Sequence, residues 1–387
     1  MSKKKIGIVT YWESNDNYGQ QLQCWALQHF LRKNGHDAFL IRVRMFTSIP
    51  KGNTNVFKSI KLYLKNILIR ILILCGGYKI PSIKRIVISM IGKDKAFRQF
   101  QFFQEKYIKS TKIYNSYSEL FRNAPNADVY IAGSDQIWNA DLPQDIWKIT
   151  FLQFGNSFTK RVAYAPSMSF TIMNNEQINT LSEYLNSFNA ISVRENKTVK
   201  LLNDIGYKCE TVLDPTMLLL ANEYNKITKV NHTSPYIFLY TINYSCIDEI
   251  PPINDLKKIV GIDNCEIIVT NGSGYTKNEE LFNNVSYDYA TIPTWLGNIK
   301  NANLVVTPSF HGIVFSILFH RNFIFTPLKG NFESGNNRVY TLLNQLGISG
   351  HIWGEDELIS PIDWSEVDLK LNQQRIDSET YLLNNLK

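Results

Sequence analysis

The sequence predicts an α/β protein with two domains. The chain has 387 residues, of which 44% are hydrophobic, so it exceeds one ordinary domain of about 100 to 200 residues and has ample apolar material to fold. Short apolar runs alternate with segments of helical periodicity, which is typical of parallel sheets with crossover helices. We place the domain boundary near residue 228, which gives domains at residues 1–228 and 229–387.

The first domain opens with a strand predicted at residues 6–10. A polar turn at 13–19 leads into a helix whose apolar residues recur at the 3.6-residue period and which ends at Asn34 and Gly35. A second strand is predicted at 38–43. This order begins a parallel sheet, so the turn lies at the carboxyl end of the first strand, where open α/β sheets bind ligands.

The remaining strands are predicted as short apolar runs between helical segments. In the first domain they lie at residues 129–132, 161–165, 190–193 and 209–213. A polar stretch separates them from a second series at residues 237–240, 266–270, 304–307 and 323–326. The tail from about residue 365 is predicted to be a C-terminal helix, and we expect it to pack back toward the N-terminal domain.

Basic charge is concentrated in the first third of the chain. Residues 1–122 carry 22 Lys and Arg against 6 Asp and Glu, whereas the rest of the chain carries 19 against 28. Such a surplus favours an anionic partner, and composition leaves phosphate-bearing substrates, nucleic acid and a membrane surface open. Because the basic region lacks a recognisable nucleic-acid-binding motif, we expect no nucleic-acid partner.

The segment at residues 56–91 is predicted to be a basic helical insertion. It is rich in Ile and Leu, and Lys58, Lys61 and Lys65 fall close together on one helical face. A pair of core helices with a solvated rim is favoured, and a cationic helix lying on an anionic membrane surface stays open. A membrane span is disfavoured because no uncharged stretch reaches about 18 residues.

The cysteines and the amino terminus indicate a cytoplasmic protein. The five cysteines are scattered and include no Cys-x-x-Cys pair, which fits a reducing compartment. Residues 6–9 form an apolar run far shorter than the core of a signal peptide. We therefore expect a cytoplasmic location, and the basic segment at 56–91 leaves peripheral attachment to the inner face of the membrane open.

The clearest candidate site follows the predicted strand at 304–307. Ser309, His311 and Gly312 open a helix there, and the free N–H groups and positive end of a helix start favour an anion such as phosphate or carboxylate. An imidazole at that position also suits proton transfer near neutral pH. The alternative is structural: Ser309 caps the helix and His311 hydrogen-bonds within its first turn.

Three more candidates follow predicted strands of the first domain. Asp135 comes after the strand at 129–132 and could accept a proton or bind a sugar hydroxyl, or it could be a cap or turn residue. Arg194 comes after the strand at 190–193 and could hold a phosphate or carboxylate through two parallel hydrogen bonds. Asp214 precedes a proline, which favours a turn residue.

Lys329 and Arg338 flank a loop rich in glycine and asparagine at residues 330–337. This loop could close over a ligand, and a solvated loop is equally open. The sequence contains no G-x-G-x-x-G, Walker A, G-x-S-x-G or H-E-x-x-H motif, and none of its six histidines forms a pair with metal-ligand spacing. We therefore expect no metal site.

Five short motifs occur along the chain in a fixed order. They are Asn17-Tyr18-Gly19, Gly133-Ser134-Asp135-Gln136-Ile137-Trp138-Asn139, Ser192-Val193-Arg194-Glu195, Leu213-Asp214-Pro215-Thr216 and Ser309-Phe310-His311-Gly312. Together they resemble the motifs of the polysaccharide pyruvyl transferase family. The likeness spans roughly residues 5–350.

The resemblance implies a fold and an activity. The fold would be two Rossmann-like domains with a cleft between them, as in glycosyltransferase-B enzymes, with the acceptor on the N-terminal side and the donor on the C-terminal side. The reaction would move pyruvate from phosphoenolpyruvate to two hydroxyls of a sugar as a cyclic ketal, during synthesis of a capsule or exopolysaccharide. The acceptor would be a sugar of a surface glycan or a lipid-linked oligosaccharide, and no cofactor or metal is implied.

The resemblance also suggests roles for the candidate residues. His311 would protonate the methylene carbon of the donor, and Asp135 would take the proton of the sugar hydroxyl or orient it. The donor would be held by Arg194, Arg338 and the helix start at residues 309–312. The acceptor side would be lined by Asn17, Tyr18 and Gly19.

Two positions depart from the family pattern. Many relatives carry Arg where Ser309 stands, and the nearer ones carry Asp where Pro308 stands. We expect Arg194, Lys329 or Arg338 to supply the missing positive charge. Two other functions stay open: a nucleotide-sugar-dependent glycosyltransferase of the same architecture, and a catalytically inactive glycan-binding relative.

Overall fold

The computed structural model describes residues 2–14, 16–45, 68, 71, 98–168, 173–244, 247–262, 264–272, 282, 285–354 and 361–387. Within these residues the strands form two separate parallel sheets, and helices connect successive strands. Parallel neighbours need such crossover connections, because their carboxyl ends lie at the same edge of the sheet. The prediction of an α/β protein with two Rossmann-like domains is therefore confirmed.

The first sheet is built from the N-terminal half of the chain. Its strands are β1 (Lys5–Val9), β2 (Asp37–Val43), β3 (Ser110–Tyr114), β4 (Val129–Ala132), β5 (Lys160–Ala163), β6 (Ala190–Val193) and β7 (Glu210–Thr211), in the order β3-β2-β1-β4-β5-β6-β7. The helices between them are α1 (Tyr18–Lys33), α2 (Phe100–Tyr107), α3 (Tyr117–Arg122), α4 (Gln144–Thr150), α5 (Asn175–Leu185) and α6 (Asn196–Asp204). The strand order reverses between β1 and β4, and such switch points are where α/β sheets bind ligands.

The second sheet follows the same plan. Its strands are β8 (Tyr236–Thr241), β9 (Glu266–Asn271), β10 (Ser286–Tyr287), β11 (Leu304–Thr307) and β12 (Phe323–Phe325), in the order β10-β9-β8-β11-β12. Helix α7 (Ala221–Asn225) lies between the two sheets along the chain. It is followed by α8 (Ile253–Val260), α9 (Ile292–Asn301), α10 (Phe310–Leu318), α11 (Asn337–Leu346) and α12 (Trp364–Asn385). Here the strand order reverses between β8 and β11, which again marks a ligand-binding position.

All ten predicted strands are present, and most agree with the structure to within one or two residues. The strand predicted at 209–213 is shorter, because the backbone N–H of Leu213 leaves the ladder and donates to the Ser378 hydroxyl at 3.0 Å. Two edge strands were not predicted. β3 is mostly polar and only partly buried, and β10 has two residues, so neither gives the apolar run that marks a buried strand.

The two sheets are joined by a continuous apolar core. Helix α1 of the first half packs against α9 and α10 of the second. At this junction the Tyr18 ring stacks on the Trp295 ring, with centroids 5.1 Å apart, and meets the Tyr240 ring edge-on at 5.6 Å. Aromatic pairs in these geometries add to the apolar burial. The packing holds the amino end of α1 beside the amino end of α10.

The C-terminal helix α12 contacts residues that precede the predicted boundary. Ser378 accepts the hydrogen bond from Leu213, and the Arg375 guanidinium donates to the carbonyl of Met217 at 2.7 Å. The first sheet ends with β7 and the second begins with β8. The boundary at residue 228 itself stays a prediction.

The predicted insertion at residues 56–91 lies outside the described residues, apart from Leu68 and Ile71. Lys58, Lys61 and Lys65, which are predicted to fall on one helical face, belong to this segment. Among the helices of the described ranges, none is both long and apolar enough to cross a bilayer.

Candidate functional site

The amino ends of α1 and α10, which belong to different domains, lie next to each other. Helix α1 follows β1 and is capped by Asn17, whose side-chain oxygen accepts from the N–H of Gln20 at 3.0 Å. Helix α10 follows β11 and is capped by Ser309, whose hydroxyl accepts from the N–H of Gly312 at 3.2 Å. Ser309 thus has the capping role that the structural alternative assigned to it. Both helix starts bring positive dipole ends and N–H groups to one region.

A cavity of about 360 Å³ lies between the two sheets at these helix starts. The first domain lines it with Asn17, Asp135, Gln136, Asn139 and Asp141. The second domain lines it with Tyr240, Asn243, Ser309, His311, Arg338 and part of the loop at 332–335. Its volume falls within the usual range of about 300–1,000 Å³ for small-molecule sites. The predicted residues Asp135 and His311 are therefore brought together, although 175 positions separate them in the sequence.

Gly19 makes room for the ring of His311. A Cβ atom on Gly19 would lie 2.0 Å from Nδ1 and 2.4 Å from Cγ of that ring, which is impossible without displacing it. Gly312 is also constrained, since a Cβ there would lie 2.7 Å from Cγ2 of Thr307. Neither glycine lines the cavity. Their predicted role in substrate binding stays a prediction, and what the structure shows is that both allow close packing around the site.

His311 lies beside the buried carboxylate of Asp214. The imidazole Nε2 is 3.7 Å from Oδ1 of Asp214, which is an electrostatic contact beyond hydrogen-bond distance. The Asp214 carboxylate accepts from Ser134 Oγ at 2.6 Å and Arg194 Nη1 at 2.8 Å through Oδ2. Thr216 donates to Oδ1 from its backbone N–H at 2.9 Å and from its hydroxyl at 2.7 Å.

These contacts decide the ionisation of Asp214. Burial alone raises the pKa of this carboxyl, but the neighbouring His311 and Arg194 and the hydroxyl of Ser134 outweigh it and hold the pKa well below its usual range. Asp214 is therefore a carboxylate at any physiological pH. Asp214 has the turn role that the sequence favoured, because it caps the short 3₁₀ helix Pro215–Met217. In addition, it places a negative charge next to His311.

Arg194 stands behind the cavity. Its side chain is buried, and it lines a recess of about 20 Å³ instead of the main cavity. Nη1 is paired with Asp214, whereas Nε and Nη2 have no hydrogen-bond partner within the described part of the chain. The guanidinium lies 5.1 Å from the ring centroid of Phe310. The expected direct grip on a substrate anion is therefore corrected, because the Phe310 side chain lines both spaces and the arginine reaches only the recess.

Arg338 is the arginine that reaches the main cavity. It lies in the first turn of α11, and its guanidinium is 5.6 Å from the Phe310 ring centroid. Burial and repulsion from Arg194 lower the pKa of Arg338 to about 10. The group is still charged at neutral pH. Lys329, in contrast, is exposed and does not line the cavity, so its predicted binding role has no support in the geometry.

Asp135 has an unusual backbone conformation. Its φ angle is +81°, in the left-handed region that residues other than glycine rarely adopt. The backbone is held by a hydrogen bond from the Ser167 N–H to the Asp135 carbonyl at 2.8 Å, and the side-chain Oδ1 accepts from the Gln136 N–H at 2.9 Å. Such strain costs roughly 1–3 kcal/mol and tends to occur at functional sites. It positions a carboxylate on the cavity wall.

Tyr18 is not a cavity residue. Its side chain has no exposed area, and its hydroxyl donates to the Ala290 carbonyl at 2.7 Å and accepts from Arg98 Nη1 at 3.2 Å. The expectation that Tyr18 lines the acceptor side is therefore corrected. The apolar helix period could not show this, because the partners of Tyr18 belong to the second domain and to a distant segment of the first.

Several cavity residues were not predicted. Asn139 belongs to the second of the five motifs, whereas Tyr240, Asn243 and Phe332 lie outside all five. Asn243 could have been found, because it follows β8, whose carboxyl end neighbours that of β11 at the switch point. Within the described ranges, no group of three or more His, Cys, Asp or Glu side chains is arranged to hold a metal ion.

The chain was compared with known protein structures, curated proteins and family models. Solved structures that align with the chain include a UDP-GlcNAc 2-epimerase from Neisseria meningitidis bound to UDP-GlcNAc, 10% identical with a TM-score of 0.43 over 97% of this chain and 92% of that chain. An alpha-glucosyltransferase in complex with UDP and a 13-mer DNA is 7% identical, with a TM-score of 0.48 over 98% and 95%. The glycosyltransferase SnogD from Streptomyces nogalater is 13% identical, with a TM-score of 0.41 over 100% of both chains.

A search of curated proteins gave no match. The family model described as polysaccharide pyruvyl transferase, in contrast, matches residues 17–328. The match begins at the cap of α1 and extends beyond β12, so it contains the helix starts and the Asp214–His311 pair described above. The chain belongs to the polysaccharide pyruvyl transferase family.

Proposed function

We propose that this protein is a phosphoenolpyruvate-dependent pyruvyl transferase that builds a cyclic ketal on a sugar of a surface polysaccharide. One observation carries the proposal: the starts of α1 and α10, the Arg338 guanidinium and the His311 imidazole meet at a single cavity. Together they supply positive charge and a proton donor, which are the two requirements of this reaction.

Donor binding follows from charge. Phosphoenolpyruvate carries a carboxylate and a phosphate, and it bears close to three negative charges near neutral pH. The starts of α1 and α10 offer N–H groups and partial positive charge to such an anion. Arg338 adds a full charge and can donate two parallel hydrogen bonds to a carboxylate or phosphate. It takes the place of the arginine that many relatives carry at position 309.

The proton transfers can be assigned to His311 and Asp135, which both line the cavity. His311 donates a proton to the methylene carbon, and the π electrons of the C=C bond form the new C–H bond. The adjacent carbon becomes electrophilic, the first sugar hydroxyl attacks it, and Asp135 takes the hydroxyl proton.

The remaining steps complete the ketal. The carbon–oxygen bond to phosphate breaks, its electron pair leaves with the phosphate, and the second hydroxyl attacks and loses its proton. One of the two hydroxyl protons restores His311 and the other departs on the phosphate. Donor and acceptor are thereby fully converted to ketal and phosphate, so we propose that no cofactor is consumed.

The polar and aromatic part of the cavity suits the acceptor. Asn139 and Asn243 offer planar amide groups that pair with hydroxyls, and Phe332, whose side chain is about half exposed, offers an aromatic face to the apolar side of a sugar ring. These groups lack the positive charge that a trianion requires. We therefore propose that the sugar binds along them, next to Asp135.

The acceptor is proposed to be a polysaccharide precursor at the inner face of the membrane. The support is the basic surplus of residues 1–122, which favours anionic lipid headgroups. Flotation with liposomes that contain anionic lipid should carry the protein upward, and reversing the charge of Lys58, Lys61 and Lys65 should abolish this. Equal flotation with neutral liposomes, or no effect of the reversal, would contradict attachment.

The activity is tested by phosphate release from phosphoenolpyruvate in the presence of acceptor, together with mass spectrometry for the added ketal. His311→Ala should lower the rate by about 10²–10⁴-fold, because it removes one well-placed proton donor. His320→Ala is the matched control, since His320 lies on the surface and pairs with Asp368. Near-wild-type turnover by His311→Ala would refute the role of this histidine.

Thermal-shift measurements separate this function from the two alternatives. Stabilisation by phosphoenolpyruvate and not by nucleotide sugars supports the proposal. The reverse result would indicate a nucleotide-sugar glycosyltransferase. Binding of donor and acceptor without any turnover would indicate a glycan-binding relative that has lost the chemistry.

A further inference from the structure

We propose that Asp214 is the residue that orients His311, holding Nε2 so that Nδ1 is the nitrogen that delivers the proton. This inference deepens the proposed function and rests on it for the catalytic step. Asp214 is fully buried and does not line the main cavity, so it acts through His311 and is a positioning residue.

The first argument is the surroundings of Nε2. This atom is buried and has no hydrogen-bond partner within the described residues, and a buried N–H group without a partner is costly. The Asp214 carboxylate, 3.7 Å away, is the acceptor that this nitrogen faces. Catalytic hydrogen bonds are often long before substrate binds and shorten in the complex. A small shift of the ring would complete this one.

The second argument is the rigidity of the carboxylate. Asp214 is fixed by Ser134, by Arg194 and by both the N–H and the hydroxyl of Thr216. These donors come from three separate segments, so the carboxylate cannot rotate away from His311 without breaking several hydrogen bonds. Arg194 also compensates the buried negative charge. The role of Arg194 is therefore to stabilise the Asp214 carboxylate, although Arg194 does not reach the main cavity.

The third argument is the space around Nδ1. Gly19 lies against this atom, and any side chain at position 19 would cover it. Because His311 lines the cavity and its Nε2 is directed to Asp214, Nδ1 is the ring nitrogen left to face the donor. Gly19 and Asp214 thus act on opposite nitrogens of one ring.

The proton balance agrees with this arrangement. Before the reaction the imidazolium carries protons on both nitrogens, and the ionised Asp214 stabilises its charge. The Nδ1–H bond breaks, the proton moves to the methylene carbon of the donor, and the electron pair stays on Nδ1. The product is a neutral imidazole whose remaining proton is on Nε2, directed at Asp214. A sugar hydroxyl proton later restores Nδ1.

The catalytic test is Asp214→Asn, with Asp145→Asn as the matched control because Asp145 is an exposed carboxylate on α4. We expect Asp214→Asn to lower kcat by about 10²–10⁴-fold while KM for phosphoenolpyruvate changes by less than about threefold. A purely structural role would instead lower thermal stability and donor affinity together. Near-normal kcat, or a loss confined to KM, would overturn the proposal.

The second measurement does not depend on the folding of Asp214→Asn. Nitrogen-15 NMR of histidine-labelled wild-type protein reports which ring nitrogen of neutral His311 carries the proton, with the signal identified by its absence from His311→Gln. The proton is expected on Nε2, and a proton on Nδ1 would overturn the proposal. If the wild-type protein forms no ketal but its proton is on Nε2, the proposed function fails while the orientation by Asp214 stands.

Discussion

The imidazole ring of His311, in the first turn of α10, occupies the space that a side chain on Gly19, in the first turn of α1, would need. The backbone of one domain therefore packs directly against the imidazole of the other. This contact crosses the junction between the two sheets. It makes the position of a proposed catalytic ring depend on the absence of a side chain at a remote point of the sequence.

Replacing Gly19 should therefore impair catalysis directly. In Gly19→Ala the new methyl group would meet Nδ1 at 2.0 Å, and the ring must move away from the donor position. We expect phosphate release to fall by about 10²-fold or more, as for other losses of a positioned proton donor. Gly206→Ala is the control: Gly206 has a φ of +90° and open space around it, so it should cost about 1–2 kcal/mol of stability and leave the rate unchanged. Equal rates for both variants would contradict the steric argument.

Arg338 should control affinity for the donor. Arg338→Gln removes a charge from the cavity wall, and KM for phosphoenolpyruvate should rise by about tenfold or more, which corresponds to a charge-assisted hydrogen bond. Arg338→Lys should recover part of the affinity, because it restores the charge without the paired donors. Arg122→Gln, on the exposed end of α3, serves as the control. Unchanged KM in Arg338→Gln would show that the donor binds elsewhere.

Tyr18 should matter for stability and not for substrate binding. Tyr18→Phe keeps the ring stack on Trp295 but leaves the Ala290 carbonyl without its donor, which should cost about 1–3 kcal/mol in the free energy of unfolding. Urea denaturation measures this loss, and KM values for both substrates should be unchanged. A raised KM for the acceptor at normal stability would restore Tyr18 to the acceptor site.

Glu223 should make stability depend on pH in the acid range. Its carboxylate pairs with Lys226 at 2.6 Å and Lys33 at 2.9 Å, and these partners, with His29, lower the pKa of Glu223 to about 2. The unfolded chain therefore binds the proton first as pH falls. The stabilisation is complete above about pH 4.5 and is lost progressively toward pH 2.

Glu223→Gln should flatten this dependence. The free energy of unfolding, followed by urea denaturation at a series of pH values, should fall less steeply between about pH 4.5 and 3 in the variant than in the wild type. Glu176→Gln, on the exposed first turn of α5, is the control and should retain the wild-type slope. Parallel curves for Glu223→Gln and the wild type would show that the ion pairs contribute nothing.

Local patterns were sufficient to predict the sheets and part of the cavity. Apolar runs marked every buried strand, and the rule that ligands bind at the carboxyl ends of parallel strands led to Asp135 and His311. The same rule led to Arg194 and Asp214, but it cannot tell a residue that faces the cavity from one that lies behind it. That distinction depends on where the side chain of Phe310 lies.

Contacts between the domains could not be predicted from single segments. The family resemblance suggests that Tyr18 and Gly19 line the acceptor side. In the structure the Tyr18 side chain is buried against α9, and Gly19 packs against the ring of His311. The positive charge of Lys329 beside a loop rich in glycine and asparagine predicts a binding residue. Lys329 is exposed and does not line the cavity, so charge alone does not locate a site. The packing of α1 onto the second half decides the first two cases.

The contact between positions 19 and 311 also constrains how the two halves can change during evolution or engineering. A chimera that takes one half from a relative keeps a working active site only if its two halves fit at this contact. The residue at position 19 must be glycine, or the ring at position 311 must be replaced by a smaller side chain. When halves are exchanged between enzymes with different acceptors, the activity of the chimera should therefore depend first on the residues at positions 19 and 311, and only then on the contacts with the acceptor.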